Sequence, residues 1–277
     1  ILLNNWLMAF FLVTVFIGTV YPIFTEVLYQ TKISVGPPFF NIVIIPLVIP
    51  LLIFMAIGPK ISWIKNKLFK YKQSLLLLIS SIIICILISL NSNHSILFYL
   101  IMVSSLVLIL HSFIDFINSF KEKNYANFSR IISHLGFGML IFFIGFNHVY
   151  SLEKDFNLKV GETKKFDNFQ VNFKNLSTIK RKNHQAILGN FEIINLNNSS
   201  KENLVPEIRV YKNPEMLTYE ASIRSKISED LYLTMSNISR SDFYNIKFQK
   251  KPFMFCIWLS AIIISIGGFL RVIRYEK

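Results

Sequence analysis

Six apolar runs, each close to the length that crosses a bilayer, constrain this chain more than any other feature of its sequence. A hydrocarbon core needs about 20 apolar residues in a helix. The runs cover approximately residues 6–21, 40–57, 74–90, 95–116, 129–150 and 253–270. The chain has 277 residues, of which 53% are hydrophobic, and its mean hydropathy is +0.48. The sequence therefore predicts an α-helical integral membrane protein with six transmembrane helices.

The positive charges predict the orientation of these helices. The net charge is +13, and the basic residues that flank the runs are Lys60, Lys65, Lys67, Lys70, Lys72, Lys121, Lys123, Arg130, Arg271, Arg274 and Lys277. Loops rich in lysine and arginine stay on the cytoplasmic side. These loops alternate with non-basic ones, so the C-terminus is predicted to be cytoplasmic. Because the charge lies at helix ends, we predict a lipid bilayer as a partner and no nucleic acid.

Prolines predict the boundaries of the first two helices. The first helix is expected to end at Pro22, since proline lacks the backbone N–H that continues a helix. The sequence Gly-Pro-Pro at 36–38 predicts an extended entry to the second helix, because the residue before a proline is disfavoured in the α conformation. Pro46 and Pro50 lie inside the second run and predict a kink. Gly58-Pro59 is expected to end that helix.

A polar stretch between the last two runs has the alternation of β-strands. Apolar residues alternate with polar ones at 169, 171 and 173, at 231, 233 and 235, and at 244, 246 and 248. The predicted domains are a transmembrane bundle of five helices (1–150), a β-rich domain (151–251), and the last helix with its tail (252–277). The β-domain is expected to be a barrel or a sandwich on the extracytoplasmic side.

The fifth run contains one histidine, His134, close to its basic end. An imidazole inside lipid needs a partner, so an intramembrane histidine is a functional-site hypothesis. Gly136, Gly138 and Gly145 lie near it and are expected to leave room for something flat and bulky. We predict that His134 is an axial ligand of a haem iron, with Ser129 or Ser133 holding its other ring nitrogen. The alternative is a helix-end histidine satisfied by a carbonyl or by headgroup water.

The other histidines are weaker candidates. His111 lies at a similar depth in the fourth run, where it would either pair with His134 on one haem or hydrogen-bond a neighbour such as Asp115. His148 is 14 residues from His134, or about 21 Å along a helix, so one haem cannot be ligated by both. His94 and His184 are interpreted as surface residues.

No catalytic residues can be assigned from spacing. The residues of the β-domain that could suggest acid–base chemistry are Glu207, Arg209, Glu220, Asp230 and Tyr232. They form no recognisable triad or carboxylate pair, and strand-bound ion pairs within a small domain are the preferred interpretation. The basic loop 180–182 is interpreted as solvated, although it would also attract anionic groups. Cys85 and Cys256 both lie in apolar runs and form no CxxC motif.

Several motifs in order along the chain resemble one family. They are Leu-Leu-Asn-Asn at 2–5, Gly-Thr-Val-Tyr-Pro at 18–22, Lys-Ile-Ser-Val-Gly-Pro-Pro-Phe-Phe-Asn at 32–41, Ile-Gly-Pro at 57–59, Ser-His-Leu-Gly at 133–136, Val-Pro-Glu-Ile-Arg-Val-Tyr at 205–211, Thr-Tyr-Glu-Ala-Ser-Ile at 218–223, Asp-Leu-Tyr at 230–232, Lys-Pro at 251–252, Trp258 and Gly-Gly at 267–268. In this order and on this topology, the chain resembles the C-terminal part of a CcmF-type cytochrome c haem lyase.

This resemblance implies cytochrome c biogenesis with a haem b held between two transmembrane histidines, one of which matches His134. That haem is thought to reduce the incoming haem before it is attached to the CxxCH cysteines of apocytochrome c. The second histidine ligand and the tryptophan-rich haem-handling segment belong to the family's N-terminal part. The chain, which starts at Ile1, is expected to be a fragment or a separate C-terminal portion, inactive as a lyase without the N-terminal part.

The resemblance also implies partners and a location. The partners are the N-terminal part of the same lyase, a haem-carrying chaperone, and apocytochrome c with its thiol-reducing or presenting subunit. The location is the bacterial inner membrane with the β-domain in the periplasm, or a mitochondrial inner membrane if the gene is organelle-encoded. A different hypothesis is a transporter or a cofactor-free structural subunit, in which the prolines of the second helix serve transport.

Overall fold

The computed structural model describes residues 2–60, 71–90, 94–123, 125–237 and 242–275. It divides the chain into two compact units, one formed by Ile1–Val149 and Cys256–Lys277 and the other by Tyr150–Phe255. Three lysines of the basic loop between the second and third apolar runs, Lys65, Lys67 and Lys70, and the terminal Lys277 lie outside the described residues.

The first unit is helical. Its helices are α1 (Leu2–Tyr29), α2 (Pro37–Ile57), α3 (Tyr71–Ile88), α4 (Ile96–Lys121), α5 (Phe128–Tyr150) and α6 (Met254–Tyr275). Five of them, all except α3, are long and apolar enough to cross a membrane. The apolar part of α3 that the structure describes, Lys72–Ile88, is shorter. The chain is therefore a multi-pass membrane protein by length and composition, and a sixth span remains a prediction.

The prediction that the first helix ends at Pro22 is wrong, because α1 continues through this residue to Tyr29. A proline inside a membrane helix removes one backbone hydrogen bond, and hydroxyl side chains or neighbouring helices can compensate. The Thr25 hydroxyl donates to the Pro22 carbonyl at 2.9 Å, which does not replace the bond lost at the Gly18 carbonyl. Phe40 of α2 packs against Gly18, the residue whose carbonyl Pro22 leaves without its usual donor.

The predicted boundaries of α2 are confirmed. Gly36 is extended, with φ −108° and ψ −175°, and Pro37 and Pro38 occupy the first helical turn. The helix ends at Ile57 and is followed by a 3₁₀ turn over Gly58–Lys60. The C-terminal half of α2 packs against α4 and α5 in one apolar cluster, built on Leu52, Ala56, Val107 and Leu108 with Val48, Met55, Ile57, Val103, Phe137 and Ile141 around them.

The second unit is an antiparallel β-sandwich. Its strands are β1 (Leu152–Leu158), β2 (Thr163–Phe166), β3 (Phe169–Lys180), β4 (His184–Asn195), β5 (Lys201–Leu204), β6 (Glu207–Lys212), β7 (Glu215–Glu220), β8 (Ser222–Ser225), β9 (Glu229–Asn237) and β10 (Tyr244–Pro252). One sheet has the order β1-β10-β9-β8. The other has the order β2-β3-β4-β6-β7, with β5 also paired to β4.

The alternation seen in the sequence fills the space between the two sheets. The fully buried residues from both sheets include Phe169, Val171, Phe173, Phe191, Ile193, Leu233, Met235, Ile246 and Phe248. Phe173 stacks on Phe191 with ring centroids 4.2 Å apart. The predicted strands at 169–173, 231–235 and 244–248 are confirmed. Of the two predicted architectures, barrel and sandwich, the structure has the sandwich.

Candidate functional site

His134 lies in the second turn of α5 and is partly buried. Its ring hydrogen-bonds the backbone carbonyl of Met55, near the C-terminal end of α2. Met55 belongs to the same apolar cluster as Phe137, which follows His134 by three positions on α5. The contact between the two helices therefore places a main-chain acceptor against the imidazole.

This hydrogen bond defines what the imidazole can do. A neutral imidazole has one N–H donor and one nitrogen with a free lone pair. When the N–H donates to a carbonyl, the tautomer is fixed and the second nitrogen is available to a metal. The acceptor is not one of the two serines named from the sequence. Ser129 donates its hydroxyl to the Gly267 carbonyl of α6 at 2.7 Å, and Ser133 lies against Gly267.

The expectation that Gly136 and Gly138 leave room for a flat group is wrong. A Cβ on Gly136 would lie 2.9 Å from the side chain of Ile263 and from the backbone nitrogen of Ile264. A Cβ on Gly138 would lie 3.0 Å from the side chain of Ile109. The space is already filled by α6 and α4, because small residues let membrane helices approach closely. These two glycines therefore pack helices instead of lining a cavity.

The contact between α5 and α6 is the tightest of these approaches. A Cβ on Gly267 would lie 2.7 Å from the backbone nitrogen of Ser133 and 3.1 Å from the carbonyl oxygen of Ser129. Ser133 immediately precedes His134, so this contact fixes the backbone that carries the imidazole.

His111 is held within the helical unit through both ring nitrogens. Its Nδ1 contacts the Val107 carbonyl at 2.9 Å, its Nε2 contacts the Ser74 hydroxyl of α3 at 3.1 Å, and the residue is 2% exposed. The hydrogen-bonded interpretation is confirmed, although with Ser74 instead of Asp115. Asp115 pairs with Lys60 at 3.4 Å.

The relative depth of the two histidines follows from the packing of α4 on α5. Gly138 lies beside Ile109 in this antiparallel pair, so His111 is level with position 136, about 3 Å along the axis from His134. The depth predicted from the sequence is therefore consistent with the packing. Because both nitrogens of His111 already have partners, the structure does not favour an in-chain pair of ligands.

The end of the helical unit near His134 is polar. A cavity of about 250 Å³ is lined there by residues that include Lys60, Asp115, Glu122 and Arg130. Arg130 precedes His134 by four residues, which is one helical turn. The imidazole thus lies one turn inside a charged end of the bundle.

The remaining histidines are not near this site. His148 is exposed near the far end of α5, about 21 Å from His134 by helical rise. His94 precedes α4 and packs its ring on Phe98, with centroids 4.7 Å apart. His184 begins β4 and lies against Tyr211, with centroids 5.0 Å apart.

Three of the polar residues singled out in the β-domain, Glu207, Arg209 and Glu220, form ion pairs on strands β6 and β7, as predicted. Glu207 accepts from Arg209 at 2.8 Å and from Arg181 at 3.0 Å, and Arg209 also lies 3.5 Å from Glu220. The hydrogen bond from Arg209 is the largest of several effects that hold the pKa of Glu207 below its ordinary value. Arg181 belongs to the basic loop 180–182, so part of that loop's charge is paired internally.

Asp230 and Tyr232 form a second polar pair. Asp230 is 6% exposed, and the Tyr232 hydroxyl donates to it at 3.4 Å. Burial raises the pKa of Tyr232, and the neighbouring Asp230 carboxylate raises it further. In the part of the chain that the structure describes, no three His, Cys, Asp or Glu side chains are grouped to hold a metal ion.

Comparison with known proteins shows which family the chain resembles. A family model described as the CcmF C-terminal beta-sandwich matches residues 149–252. Along nearly the whole chain, the sequence is 24% identical to the cytochrome c-type biogenesis protein CcmF of Haemophilus influenzae, covering 98% of this chain and 44% of the relative. The chain is similar to the C-terminal part of CcmF-type proteins. The CcmF proteins of Escherichia coli K12 (24% identical) and Pseudomonas aeruginosa (25% identical) each match 100% of this chain over 44% of their own length.

A solved structure has the CcmF fold over the same region. The protein named cytochrome c heme lyase CcmF superposes with a TM-score of 0.75 at 18% identity, covering 97% of this chain and 44% of that chain. At this identity the likeness concerns the fold. The chain thus spans less than half the length of the CcmF relatives it matches.

Sequence analysis missed the Met55 carbonyl as the partner of His134. A signal for it was present, because Pro59 follows Met55 by four positions. Proline has no N–H to donate to the carbonyl four residues earlier, so that carbonyl needs another donor. The sequence did not indicate which helix would supply it.

Proposed function

We propose that this chain supplies one axial ligand, His134, to a haem b in a membrane protein of cytochrome c biogenesis. One observation carries the proposal: the imidazole donates to the Met55 carbonyl within a chain that aligns end to end with CcmF proteins. The second nitrogen then fits an axial ligand. The opposite ligand would come from outside this chain, from the N-terminal part of the same lyase.

The described residues fit a haem through one side chain, that of His134. Neutral histidine is a standard axial ligand of haem iron, and a second hydrogen bond on the ring is what such a ligand requires. When bound, the haem would supply one-electron chemistry. The chain's own residues would hold the ligand: Met55 fixes the ring, and Gly136 and Gly267 fix the helix that carries it.

The proposed topology has six spans with the basic helix ends in the cytoplasm. Lys60, Lys72, Lys121, Arg130 and Arg271 all lie at or near helix ends that would share one side of the membrane. The positive-inside rule assigns that side to the cytoplasm. Residues 151–251 would then lie in the periplasm, with the chain in a bacterial inner membrane, or in a mitochondrial inner membrane if the gene is organelle-encoded.

This topology separates His134 from the place where haem is attached to cytochrome. His134 lies one turn inside Arg130, near the proposed cytoplasmic face, whereas attachment to the CxxCH cysteines takes place outside. The haem on His134 is therefore proposed as a fixed electron relay that keeps the delivered haem reduced. The partners would be the haem-carrying chaperone and apocytochrome c with its presenting or thiol-reducing subunit, and the lyase would act only with its N-terminal part.

A spectrum of the complex tests this proposal. The chain is co-produced with the N-terminal part of the lyase and purified, and its reduced-minus-oxidised spectrum is recorded. We expect b-type bands that disappear in His134→Ala. They should persist in His148→Ala, a matched control on the same helix, and in His111→Ala, whose ring is already hydrogen-bonded within the unit. Bands that survive in His134→Ala, or a colourless complex that still matures cytochrome c, would overturn it.

A further inference from the structure

The C-terminal end of α2 leaves one main-chain carbonyl without its usual helical donor. The Gly58 N–H donates to the Phe54 carbonyl, as in a regular helix. The next bond would join the N–H of residue 59 to the Met55 carbonyl, but residue 59 is proline. Proline has no N–H, so this backbone hydrogen bond cannot form and the Met55 carbonyl needs another donor.

His134 is the donor that the structure provides. Its ring hydrogen-bonds the Met55 carbonyl, and the surrounding contacts agree with this placement. Met55 and Ile57 of α2 lie in one apolar cluster with Phe137 and Ile141 of α5. An unpaired carbonyl away from water is costly, and so is an unpaired imidazole N–H. Each group therefore satisfies the other.

We propose that Pro59 is a positioning residue, which keeps the Met55 carbonyl free so that it fixes the tautomer and orientation of His134. This inference rests on the proposed function, because it explains how the second ring nitrogen is kept ready for iron. It assigns a role to the Ile-Gly-Pro motif at 57–59 that its position at the end of a helix does not require. A helix can end at Gly58 without a proline after it.

The physical consequence is a competition for one acceptor. An alanine at position 59 has an N–H that lies where the helix would direct it to the Met55 carbonyl. His134 would then share or lose its acceptor, and both tautomers would be populated. Loss of such a second hydrogen bond typically lowers metal affinity about 10–100-fold. A weaker acceptor also makes the imidazole a poorer donor to ferric iron, so the midpoint potential should rise.

The first test follows the haem in the complex with the N-terminal part. In Pro59→Ala we expect faster haem loss to apomyoglobin, by about 10-fold or more, and a raised midpoint potential. The matched controls are Pro46→Ala and Pro50→Ala. Each control restores an N–H on the same helix. These N–H groups would donate to the carbonyls of Ile42 and Pro46 and not to that of Met55, so both variants should behave as the wild type.

The second test needs no haem. With ¹⁵N-labelled histidine, the His134 resonances of the haem-free protein are assigned by difference from His134→Ala. The wild type should show one tautomer and Pro59→Ala a mixture. An alanine analogue with an ester oxygen in place of the amide N–H at position 59 should restore the single tautomer, because it has no donor. This variant separates the effect of the N–H from that of the proline ring.

The outcomes separate the two proposals. A wild-type complex without b-type bands would contradict the proposed function, and the tautomer measurement would still test the role of Pro59. Normal haem bands with the same tautomer, retention and potential in Pro59→Ala as in the wild type would overturn the role of Pro59 alone. Equal effects of Pro46→Ala and Pro59→Ala would also overturn it, since a general change in α2 would then explain the result.

Discussion

The helical unit and the β-sandwich are stabilised by different kinds of contact. In the sandwich, aromatic and aliphatic side chains from two sheets fill a common core, and ion pairs lie on the strands around it. In the helical unit, the specific contacts involve small residues and main-chain atoms. Examples are Gly267 against Ser133, the Ser129 hydroxyl on the Gly267 carbonyl, and His134 on the Met55 carbonyl.

The difference follows from the solvent around each unit. Burial of apolar surface from water drives the sandwich together. Lipid is as apolar as a leucine side chain, so membrane helices gain specificity from close packing and interhelical hydrogen bonds. The candidate site lies in the helical unit. Its geometry should therefore be more sensitive to a single Cβ or N–H than to the loss of an apolar side chain.

The largest effect is expected in the core of the sandwich. Phe173→Ala removes a ring that is 1% exposed and stacked on Phe191, and it should lower the free energy of unfolding by about 3–5 kcal/mol. Hydrogen exchange of the β3 and β4 amides in the full chain measures this. Ile179→Ala, on the same strand but 45% exposed, is the control and should change exchange little. Similar losses at both positions would contradict a core-driven sandwich.

A smaller but more specific effect is expected at Gly267. Gly267→Val places side-chain atoms against the Ser133 backbone, and it should destabilise the α5–α6 contact by about 1–3 kcal/mol. Gly268→Val is the matched control, because a Cβ there meets nothing within 4 Å. Thermal unfolding of the purified complex, followed through its haem bands, compares the two variants. If Gly268→Val were as damaging as Gly267→Val, close approach would not be the cause.

The smallest effect is expected at the surface of the sandwich. Glu207→Gln removes the negative charge shared by Arg181 and Arg209, and it should lower stability at neutral pH by at most about 1 kcal/mol, less in high salt.

The pH dependence of this effect has a definite sign. The pKa of Glu207 lies below its ordinary value of 4.5 in the folded chain. Its contribution is therefore complete above pH 4.5 and is lost as the pH falls through the folded pKa. Urea unfolding of the wild type and of Glu207→Gln across this range measures the difference. A difference that grows as the pH falls would contradict the ion-pair interpretation.

The sequence predicted the strands and helices that have a clear hydropathy pattern. The alternation at 169–173 and 231–235 identified strands with one buried face, and that face is the sandwich core. Five apolar runs correspond to helices long enough to cross a membrane. The motifs indicated a resemblance to the C-terminal part of CcmF-type proteins, which the comparisons confirm. His134 as a ligand stays a prediction.

The sequence could not predict which helix faces meet. Lipid-facing and helix-facing sides of these helices are both apolar, so hydropathy does not distinguish them. For this reason Gly136 was interpreted as open space, whereas α6 fills it. The continuation of α1 beyond Pro22 was missed because hydropathy does not show which prolines a membrane helix tolerates. The Met55 acceptor was missed because it lies on a different helix from His134.

Replacement of the proposed ligand by a free one is the most direct test of the account. In the complex with the N-terminal part, His134→Gly removes the imidazole, and imidazole is then added to the solution. We expect the b-type bands to be absent without imidazole and to return when it is added, because the free ring occupies the vacated ligand position. Bands of full strength in His134→Gly without imidazole would contradict the claim that His134 ligates a haem b.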